Sequence, residues 1–346
     1  MKRKISFYIG ILSLILIISL LYSDEKVKIL TSYAKCPICN YEFEAYIIDK
    51  PDTLGKQDTD FLTRSFYSNP IANTIWICPK CFFSALPQDF LHNNFKIKSQ
   101  LQLNKINLKK DLNLVTQNDI PAWLKYENAL IYYKSIKAND SFITNLHIKA
   151  SWACRLESID YTTEMDEIGQ KIFKEFFKSA NTSFEVYYEK MAHMIYEKLQ
   201  SKAVPINKIN IWKLVQADFL RKSGNHLKAY PILQNLKSVK SFYKEHKPQI
   251  DRSMFLCEKE KYHQKSALSY LVKELSSNSS LNTETKYNMT YLAGELSRRI
   301  GNDKDAIAWF KKAIELIPNQ HPLHSLTEMQ LVKMGRGSAS CPKAKE

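Results

Sequence analysis

Hydrophobic periodicity changes twice along the chain. Residues 5–23 are uncharged and rich in isoleucine and leucine, and they follow the basic residues 2–4. Residues 41–48 alternate between apolar and polar positions, as a half-buried β-strand does. From residue 118 to about 334, apolar residues recur about every 3.6 positions and glycine is rare, which predicts successive amphipathic helices. The expected fold class is mainly α: a small β-containing module, then an irregular array of α-helical hairpins, all preceded by one hydrophobic helix.

The first hydrophobic segment is long enough to cross a bilayer. As a helix its 19 residues would extend about 28 Å, close to the ~30 Å hydrocarbon core. Neither Ser19 nor Ser23 has a small residue two positions earlier, so no cleavage site for a signal peptidase is evident. An uncleaved anchor is therefore favoured over a cleaved signal peptide, and a buried soluble helix is the third alternative.

Flanking charge sets the expected orientation of this segment. Basic residues tend to stay on the cytoplasmic side, which would place residues 2–4 there and the rest of the chain across the membrane. The predicted location is the bacterial inner membrane, as a single-pass protein held by residues 5–23 with its body in the periplasm. A secreted or periplasmic protein, after signal cleavage, is the alternative.

The 346 residues suffice for two or three domains, and a content of 45% hydrophobic and 25% charged residues is typical of globular proteins.

The positive charge of the chain raises the possibility of an anionic partner. The net charge is +15, but arginine, which makes bidentate contacts to phosphate and guanine, supplies only eight of the 50 basic residues. A basic nucleic-acid-binding zinc protein is thus a second alternative only, and nucleic acid is not the expected partner.

Two Cys-x-x-Cys pairs lie in the amino-terminal third. Cys36 and Cys39 form the first pair, Cys78 and Cys81 form the second, and 38 residues separate them. Two such pairs that face each other make a closed tetrahedral site, so the four cysteines are predicted to bind one structural zinc ion. Paired disulfides in an oxidising compartment remain an alternative, as does a Cys-Pro-x-Cys dithiol that exchanges disulfides.

The cysteine pairs define a predicted zinc module at residues 33–110, after a linker at 24–32 and the anchor or signal at 1–23. Strands are expected at 41–48 and 75–77. Because a module of this size buries little apolar surface, the metal would contribute much of its folding free energy.

Two carboxylates lie in the loop between the cysteine pairs. Asp58 and Asp60 could bind a cation or act in general acid–base chemistry, but capping of a helical segment at 61–67, or a position in solvent, is favoured.

Several motifs in this region carry a family resemblance: Cys36-Pro-Ile-Cys39, Asp58-Thr-Asp60-Phe61, Asn69-Pro70 and Cys78-Pro-Lys-Cys81 with Ser84-Ala85. In these residues the chain resembles the bacterial domain of unknown function 2225 family, over most of its length after Ser32. The resemblance implies an amino-terminal metal module followed by tetratricopeptide-like helices, and it implies no reaction. The family commonly has glycine after each cysteine pair, where this chain has Asn40 and Phe82.

The predicted helical domain covers residues 111–335, and a flexible tail follows at 336–346. Its clearest unit is the last pair of helices, in which the small residue Gly294 permits close approach and Phe310 fills the space between the helices. Gly301 and Pro318 are expected to end the two helices, and the spacing matches a tetratricopeptide unit of about 34 residues. Earlier units are weaker, so the array is expected to be irregular.

The remaining candidates for chemistry are few. Tryptophan residues on the helices, and Cys154 and Cys257, are expected to belong to the core, while His321 and His324 are expected to be capping or surface groups. The sequence contains no His-Glu-x-x-His motif, no glycine-rich phosphate loop and no Gly-x-Ser-x-Gly elbow, so no catalytic residue is assigned.

The predicted function combines these elements. Stacked helix pairs commonly bind peptides or protein segments on a concave face, although they could instead close a compact bundle without a groove. The chain is therefore predicted to be a membrane-anchored, non-enzymatic protein with a structural zinc ion and a helical-repeat domain that binds an unidentified protein or peptide. A periplasmic thiol–disulfide exchange protein is the first alternative.

Overall fold

The computed structural model describes residues 28–50, 57–65, 69–91, 101–107, 115–176, 182–277 and 281–335. Two small antiparallel sheets lie near the amino terminus, and helices make up most of the rest. The prediction of a mainly α-helical protein with a small β-containing part is confirmed.

The two sheets are β-hairpins, and each carries a cysteine pair in its turn. Strand β1 (Lys28–Lys35) pairs with β2 (Glu42–Lys50), and β3 (Trp76–Ile77) pairs with β4 (Ser84–Ala85). The alternating pattern at 41–48 therefore corresponds to β2. Strand β1 begins within the segment that the sequence predicts to be a linker, so residues 28–32 belong to the sheet.

Twelve α-helices are present in the part of the chain that the structure describes. They are α1 (Pro70–Thr74), α2 (Pro87–Leu91), α3 (Ala122–Ser135), α4 (Asp140–Leu156), α5 (Thr163–Phe176), α6 (Phe184–Gln200), α7 (Ile209–Lys222), α8 (His226–Ser238), α9 (Lys240–Ser277), α10 (Thr283–Arg299), α11 (Asp303–Leu316) and α12 (Pro322–Lys333). Helix α9 contains non-helical backbone at His246, two residues before Pro248, and it packs on α4, α8 and α10. A proline cannot donate to the helical ladder, which accounts for a kink at this point.

The last helix pair shows the close approach that the sequence predicts. Helices α10 and α11 are joined by residues 300–302 and pack on each other. A Cβ atom placed on Gly294 would lie 2.6 Å from the ring of Phe310, so no larger residue fits without a shift of that ring. Gly301, with φ +84°, lies in the turn, where the left-handed backbone favours glycine. The assignment of this pair as a tetratricopeptide unit stays a prediction.

The module and the helical body share one hydrophobic core. Phe83 of the second hairpin packs against Phe90 of α2 and against Tyr132 of α3, with ring centroids 5.3 and 5.0 Å apart. The amide of Leu86 donates to the Tyr133 hydroxyl, and the Asn128 amide group donates to the carbonyl of Phe82. The hairpins are therefore packed onto α3 rather than held beside it by a linker.

The prediction of a single-pass inner-membrane protein is wrong for the described residues, because none of their helices combines the length and the apolar character needed to cross a bilayer. The segment 5–23, on which that prediction was based, lies outside the described residues, as does the tail at 336–346 with Cys341.

Candidate metal centre and buried ion-pair network

The two cysteine pairs adopt matching turns. The amide of Cys36 donates to the carbonyl of Tyr41, and the amide of Asn40 donates back to the carbonyl of Cys36, both at 2.9 Å. In the second hairpin, the amides of Cys78 and Phe82 make the equivalent bonds, to the carbonyls of Phe83 and Cys78, both at 2.8 Å. Each hairpin therefore presents its two thiols from one turn.

The residue that follows each pair has a left-handed backbone. Asn40 has φ 58° and Phe82 has φ 64°, a region in which glycine is unstrained and asparagine is tolerated. Phe82 is held there by its buried ring and by its carbonyl, which accepts bonds from Asn128 and Ser84. Packing thus maintains the same turn at Phe82 that a glycine would adopt freely.

The four sulfur atoms converge on one point. The Sγ atom of Cys36 lies 3.5 Å from that of Cys81, and the Sγ atom of Cys39 lies 3.6 Å from that of Cys78. All four lie within 4.8 Å of one another, and the thiols of Cys36 and Cys78 are buried. The predicted cysteines are therefore brought together across the two hairpins, and the group could hold a metal ion.

The thiols of this group compete for ionisation. Hydrogen bonds from Cys78 and Cys81 lower the pKa of Cys36, and the contact with Cys36 raises the pKa of Cys78 and raises that of Cys81 to about 12. One thiolate therefore suppresses the ionisation of its neighbours. A divalent cation at the centre would remove this conflict, because each thiolate would then face positive charge.

Comparison with known proteins places the chain in a family. Its sequence matches the family described as "Uncharacterized protein conserved in bacteria (DUF2225)" over residues 30–254 and 242–332. The chain belongs to the DUF2225 family. It is also similar to a protein of Borreliella burgdorferi described as "Uncharacterized protein", with 25% identity over 152 residues, 38% of this chain and 52% of that protein. The chain thus spans about half the length of this relative. No solved structure matches the chain.

A second polar centre in this DUF2225 protein is built around residues 57–65, between the cysteine pairs. The expectation that Asp58 and Asp60 cap a helix at 61–67 or face solvent is wrong, because they are only 2% and 1% exposed. Residues 61–65 do not form a helix. Phe61, with φ 70°, packs on the ring of Tyr291 at 5.4 Å. This segment is thus buried within the helical body.

Asp60 forms the centre of the network. The guanidinium of Arg155 donates to both carboxylate oxygens of Asp60, at 3.2 and 2.6 Å, and Trp152 donates to one of them. Arg155 also donates through Nε to Glu260 of α9 at 2.9 Å. Burial would raise the pKa of Asp60, but Arg155 and Arg299 outweigh it and hold that pKa well below its usual range.

Thr59 and Asp58 connect the same segment to further helices. The Thr59 hydroxyl lies 2.8 Å from a carboxylate oxygen of Glu185 and 2.7 Å from one of Glu295, and it accepts a bond from Arg299. Asp58 pairs with Arg64 at 2.7 Å and accepts a bond from the amide of Glu185. Residues 58–60 therefore contact α4, α6 and α10 through charged hydrogen bonds.

Arginine usage is the sequence signal that could have revealed this network. Of the eight arginines, the structure describes six, and five of these are buried or nearly so in ion pairs: Arg64, Arg155, Arg221, Arg298 and Arg299. The planar guanidinium suits buried pairs with carboxylates better than the ammonium of lysine does. In a chain whose basic residues are mostly lysine, these five arginines serve the interior of the protein rather than a nucleic-acid surface.

A third polar group lies between α3, α4 and α9. Lys134 lies 3.2 Å from Nε2 of His147, and the Nδ1 atoms of His147 and His263 are 3.1 Å apart. Because the ammonium can only donate, Nε2 of His147 accepts and its Nδ1 carries the hydrogen. His263 then accepts at Nδ1 and directs its Nε2 hydrogen toward Glu127, 3.6 Å away, which also pairs with Lys259. Burial lowers the pKa of His147 to about 3 and also lowers the pKa of His263, which favours the neutral form of both rings.

The other predicted residues lie mostly as expected, except that His324 is buried and neither caps a helix nor lies at the surface. Cys154 and Cys257 are buried, and burial raises the pKa of each thiol, so they are inert core residues. His321 caps α12, where its Nδ1 accepts a bond from the amide of Leu323. Trp152 differs, because its indole serves the ion-pair network through Asp60.

Proposed function

We propose that this DUF2225 protein is a non-catalytic scaffold in which one structural zinc ion, bound by Cys36, Cys39, Cys78 and Cys81, fixes two β-hairpins to a helical body that binds a protein or peptide. The observation that carries the proposal is the convergence of four cysteine sulfurs, within 4.8 Å, at the tips of two facing hairpins.

The donor set favours zinc in a structural role. Soft thiolates select zinc over the hard cations that prefer oxygen, and a Zn–S distance near 2.3 Å gives sulfur separations of about 3.8 Å in a tetrahedron. The separations of 3.5 and 3.6 Å across the hairpins are close to this value. Four protein thiolates complete the coordination shell, so no position is left for water or substrate.

The setting of the pairs argues against disulfide exchange. A reactive Cys-x-x-Cys thiolate is usually stabilised at the amino terminus of a helix. Here both pairs lie in β-hairpin turns, and the first cysteine of each pair is buried. Each thiol has a sulfur of the opposite hairpin within 3.6 Å.

A metal at this centre would act on the helical body as well. It would close the chain between Cys39 and Cys78, and this closed segment contains residues 57–65, which contact α4, α6 and α10 through the ion-pair network. Because the metal would hold both ends of this segment, it would reduce the conformational entropy that the segment has when the body is unfolded. The zinc ion would thus stabilise the body from a distance.

The recognition role rests on the helical architecture. Sequential helices pack as neighbours from α6 to α12, which is the arrangement that gives helical-repeat proteins extended binding surfaces. Since the polar faces of α4, α6 and α10 that meet residues 58–60 are already engaged by the chain itself, a partner would bind elsewhere on the body.

The test is metal content together with thiol chemistry on the full chain. We expect one zinc per chain after expression with adequate zinc, loss of zinc in Cys36→Ser and Cys78→Ser, and no catalysed disulfide exchange. Cys257→Ser is the matched control, because it removes a buried thiol outside the centre and should leave the zinc content unchanged. A zinc content below about a third of an equivalent, or exchange activity that these substitutions abolish, would refute the proposal.

A further inference from the structure

The four cysteines of the metal centre differ in their exposure to solvent. Cys36 and Cys78, the first residue of each pair, are both 0% exposed. Cys39 and Cys81, the second residue of each pair, are only partly buried. Small solutes therefore reach the centre at the second cysteine of each hairpin, and the first cysteine lies behind it.

Each partly exposed sulfur has a buried sulfur of the opposite hairpin as a neighbour. The Sγ atom of Cys39 lies 3.6 Å from that of Cys78, and the Sγ atom of Cys81 lies 3.5 Å from that of Cys36. Because a disulfide joins its sulfurs at about 2.0 Å, each pair has to close by about 1.5 Å, which rotation of the two side chains can supply. The centre thus contains two equivalent pairs, each with one accessible and one buried thiol.

The two hairpins are held face to face by contacts that do not involve the cysteines. Phe43 of the first hairpin and Phe83 of the second both pack on Phe90, with ring centroids 5.7 and 5.3 Å apart. The indole of Trp76 in the second hairpin donates to the carbonyl of Tyr46 in the first. A thiol of one hairpin therefore stays beside its neighbour in the other hairpin while the cysteines react.

We infer that this centre is a peroxide-sensitive clamp, which hydrogen peroxide converts into two disulfides between the hairpins, Cys39–Cys78 and Cys36–Cys81. The inference rests on the proposed function, in which the same thiolates bind zinc, and it adds the product that they form on oxidation. Because zinc binds thiolates, the disulfides no longer hold the metal, and it is released. The hairpins stay joined in both forms, through the metal in one and through covalent bonds in the other.

Each disulfide forms in two steps that consume one molecule of peroxide. The Cys39 thiolate attacks the peroxide, the O–O bond breaks, and a sulfenic acid forms while hydroxide leaves. The Cys78 thiolate then attacks that sulfur, the S–S bond forms, and the S–O bond breaks with loss of a second hydroxide. Two thiolates together lose two electrons, which the peroxide gains. Cys81 and Cys36 react in the same way.

Oxidation is directed to this centre by the burial of the other described thiols. Cys154 and Cys257 are 0% and 1% exposed, so we expect both to stay reduced. Cys341 lies outside the described residues, and a Cys341→Ser background removes its thiol from the count. The thiols that disappear on oxidation are then those of the two pairs.

The test is treatment of the full zinc-loaded chain, in this background, with hydrogen peroxide. Free thiols are then blocked, and tryptic peptides are mapped by mass without reductant. Trypsin cuts after Lys80 and so separates the two cysteines of the second hairpin. We expect the peptide with the first cysteine pair to be linked to both of these cysteines, with about one zinc ion released as four thiols are lost.

Three results would overturn the inference. They are disulfides mainly within each hairpin, sulfinic acids as the main product, and a centre that keeps its thiols and its zinc in peroxide. A chain that never contains zinc would instead refute the proposed function, and the peptide map would still report the pairing of the cysteines.

Two double variants test the pairing without the metal. Cys36→Ser with Cys81→Ser leaves one thiol in each hairpin, Cys39 and Cys78, and should form a disulfide in peroxide. Cys36→Ser with Cys39→Ser, the matched control, leaves both thiols in the second hairpin and should form one at least about tenfold more slowly. Equal rates would contradict the proposed pairing. If a variant does not fold, the peptide map of the four-cysteine chain decides.

Discussion

Asp60, in the segment between the cysteine pairs, forms a two-pronged ion pair with Arg155 of α4, with Oδ2 and Nη2 2.6 Å apart. Both side chains are about 1% exposed or less. The pair joins the module to the helical body at a position that is shielded from solvent. A charge left alone in such a place is costly, whatever the net value of the pair itself.

Removal of the Asp60 charge should therefore be severe. Asp60→Asn keeps the size of the side chain but leaves Arg155 and Arg299 with one carboxylate fewer, and we expect a loss of about 3–5 kcal/mol in the free energy of unfolding. Urea unfolding measures it. Glu175→Gln is the matched control, since it breaks a partly exposed pair with Lys198 at 3.0 Å and should cost less than about 1 kcal/mol. Similar losses in the two variants would contradict a buried network.

Acid should destabilise the protein through His147. Burial lowers its folded pKa from 6.5 to about 3, so between these values the unfolded chain binds more protons than the folded chain. The stability linked to this ring is complete above about pH 6.5 and falls as the pH decreases toward about 3, by up to about 1.4 kcal/mol per pH unit. His147→Gln should remove this part of the slope.

The measurement is urea unfolding of wild type and variant at pH 7.5, 6 and 5, chosen as test points on the slope. Acid also protonates thiols, but this acts on both proteins alike, so the difference between them reports His147 together with His263, to which it is hydrogen-bonded. His193→Gln serves as the control, because His193 is exposed and pairs only with Glu197 among the described residues. Parallel curves for wild type and His147→Gln would rule out this account.

The turn between α7 and α8 should tolerate no side chain. Gly224 has φ 79°, and a Cβ atom there would lie 2.0 Å from Nη1 of Arg299, whose guanidinium is held by Glu185 and Glu295. Gly224→Ala therefore adds backbone strain and displaces a buried charge. Gly335 has φ 69° with no atom within 4 Å of an added Cβ, so Gly335→Ala carries the backbone cost alone, about 1–2 kcal/mol.

The comparison between these two glycines separates strain from packing. We expect Gly224→Ala to lower the free energy of unfolding by at least about 2 kcal/mol more than Gly335→Ala does. Thermal or urea unfolding of both variants gives the difference. Equal effects would mean that Arg299 moves aside without cost, and that the network is looser than its distances indicate.

Local patterns predicted the elements of this protein well. The alternation at 41–48 became β2, the helical periodicity became the successive helices from α3 onward, and the small residue Gly294 lies against Phe310 as the spacing indicates. These predictions succeed because strand and helix periods, and the contact within one helix pair, depend on residues close in the sequence.

The candidate metal centre was also accessible from the sequence. A doubled Cys-x-x-Cys motif restricts each pair to one turn, and the geometry of a tetrahedral zinc site led to the expectation that the two turns face each other. Strand β1 was missed because its sequence, from Lys28 to Lys35, mixes apolar and polar residues without a clean alternation. The segment is a strand because it pairs with β2, and its own residue pattern does not indicate a strand.

The sequence by itself determined most of the segments that form helices and strands, and which four thiols could meet. Only the tertiary structure decided that Asp58 and Asp60 are buried, because the partner that makes burial of Asp60 tolerable, Arg155, is 95 residues away. In the sequence alone, Asp60 followed by Phe61 is typical of a surface loop, because the arginines that pair with Asp60 are distant in the chain. Long-range electrostatic pairing has no period along the chain, so it leaves no local pattern from which burial can be predicted.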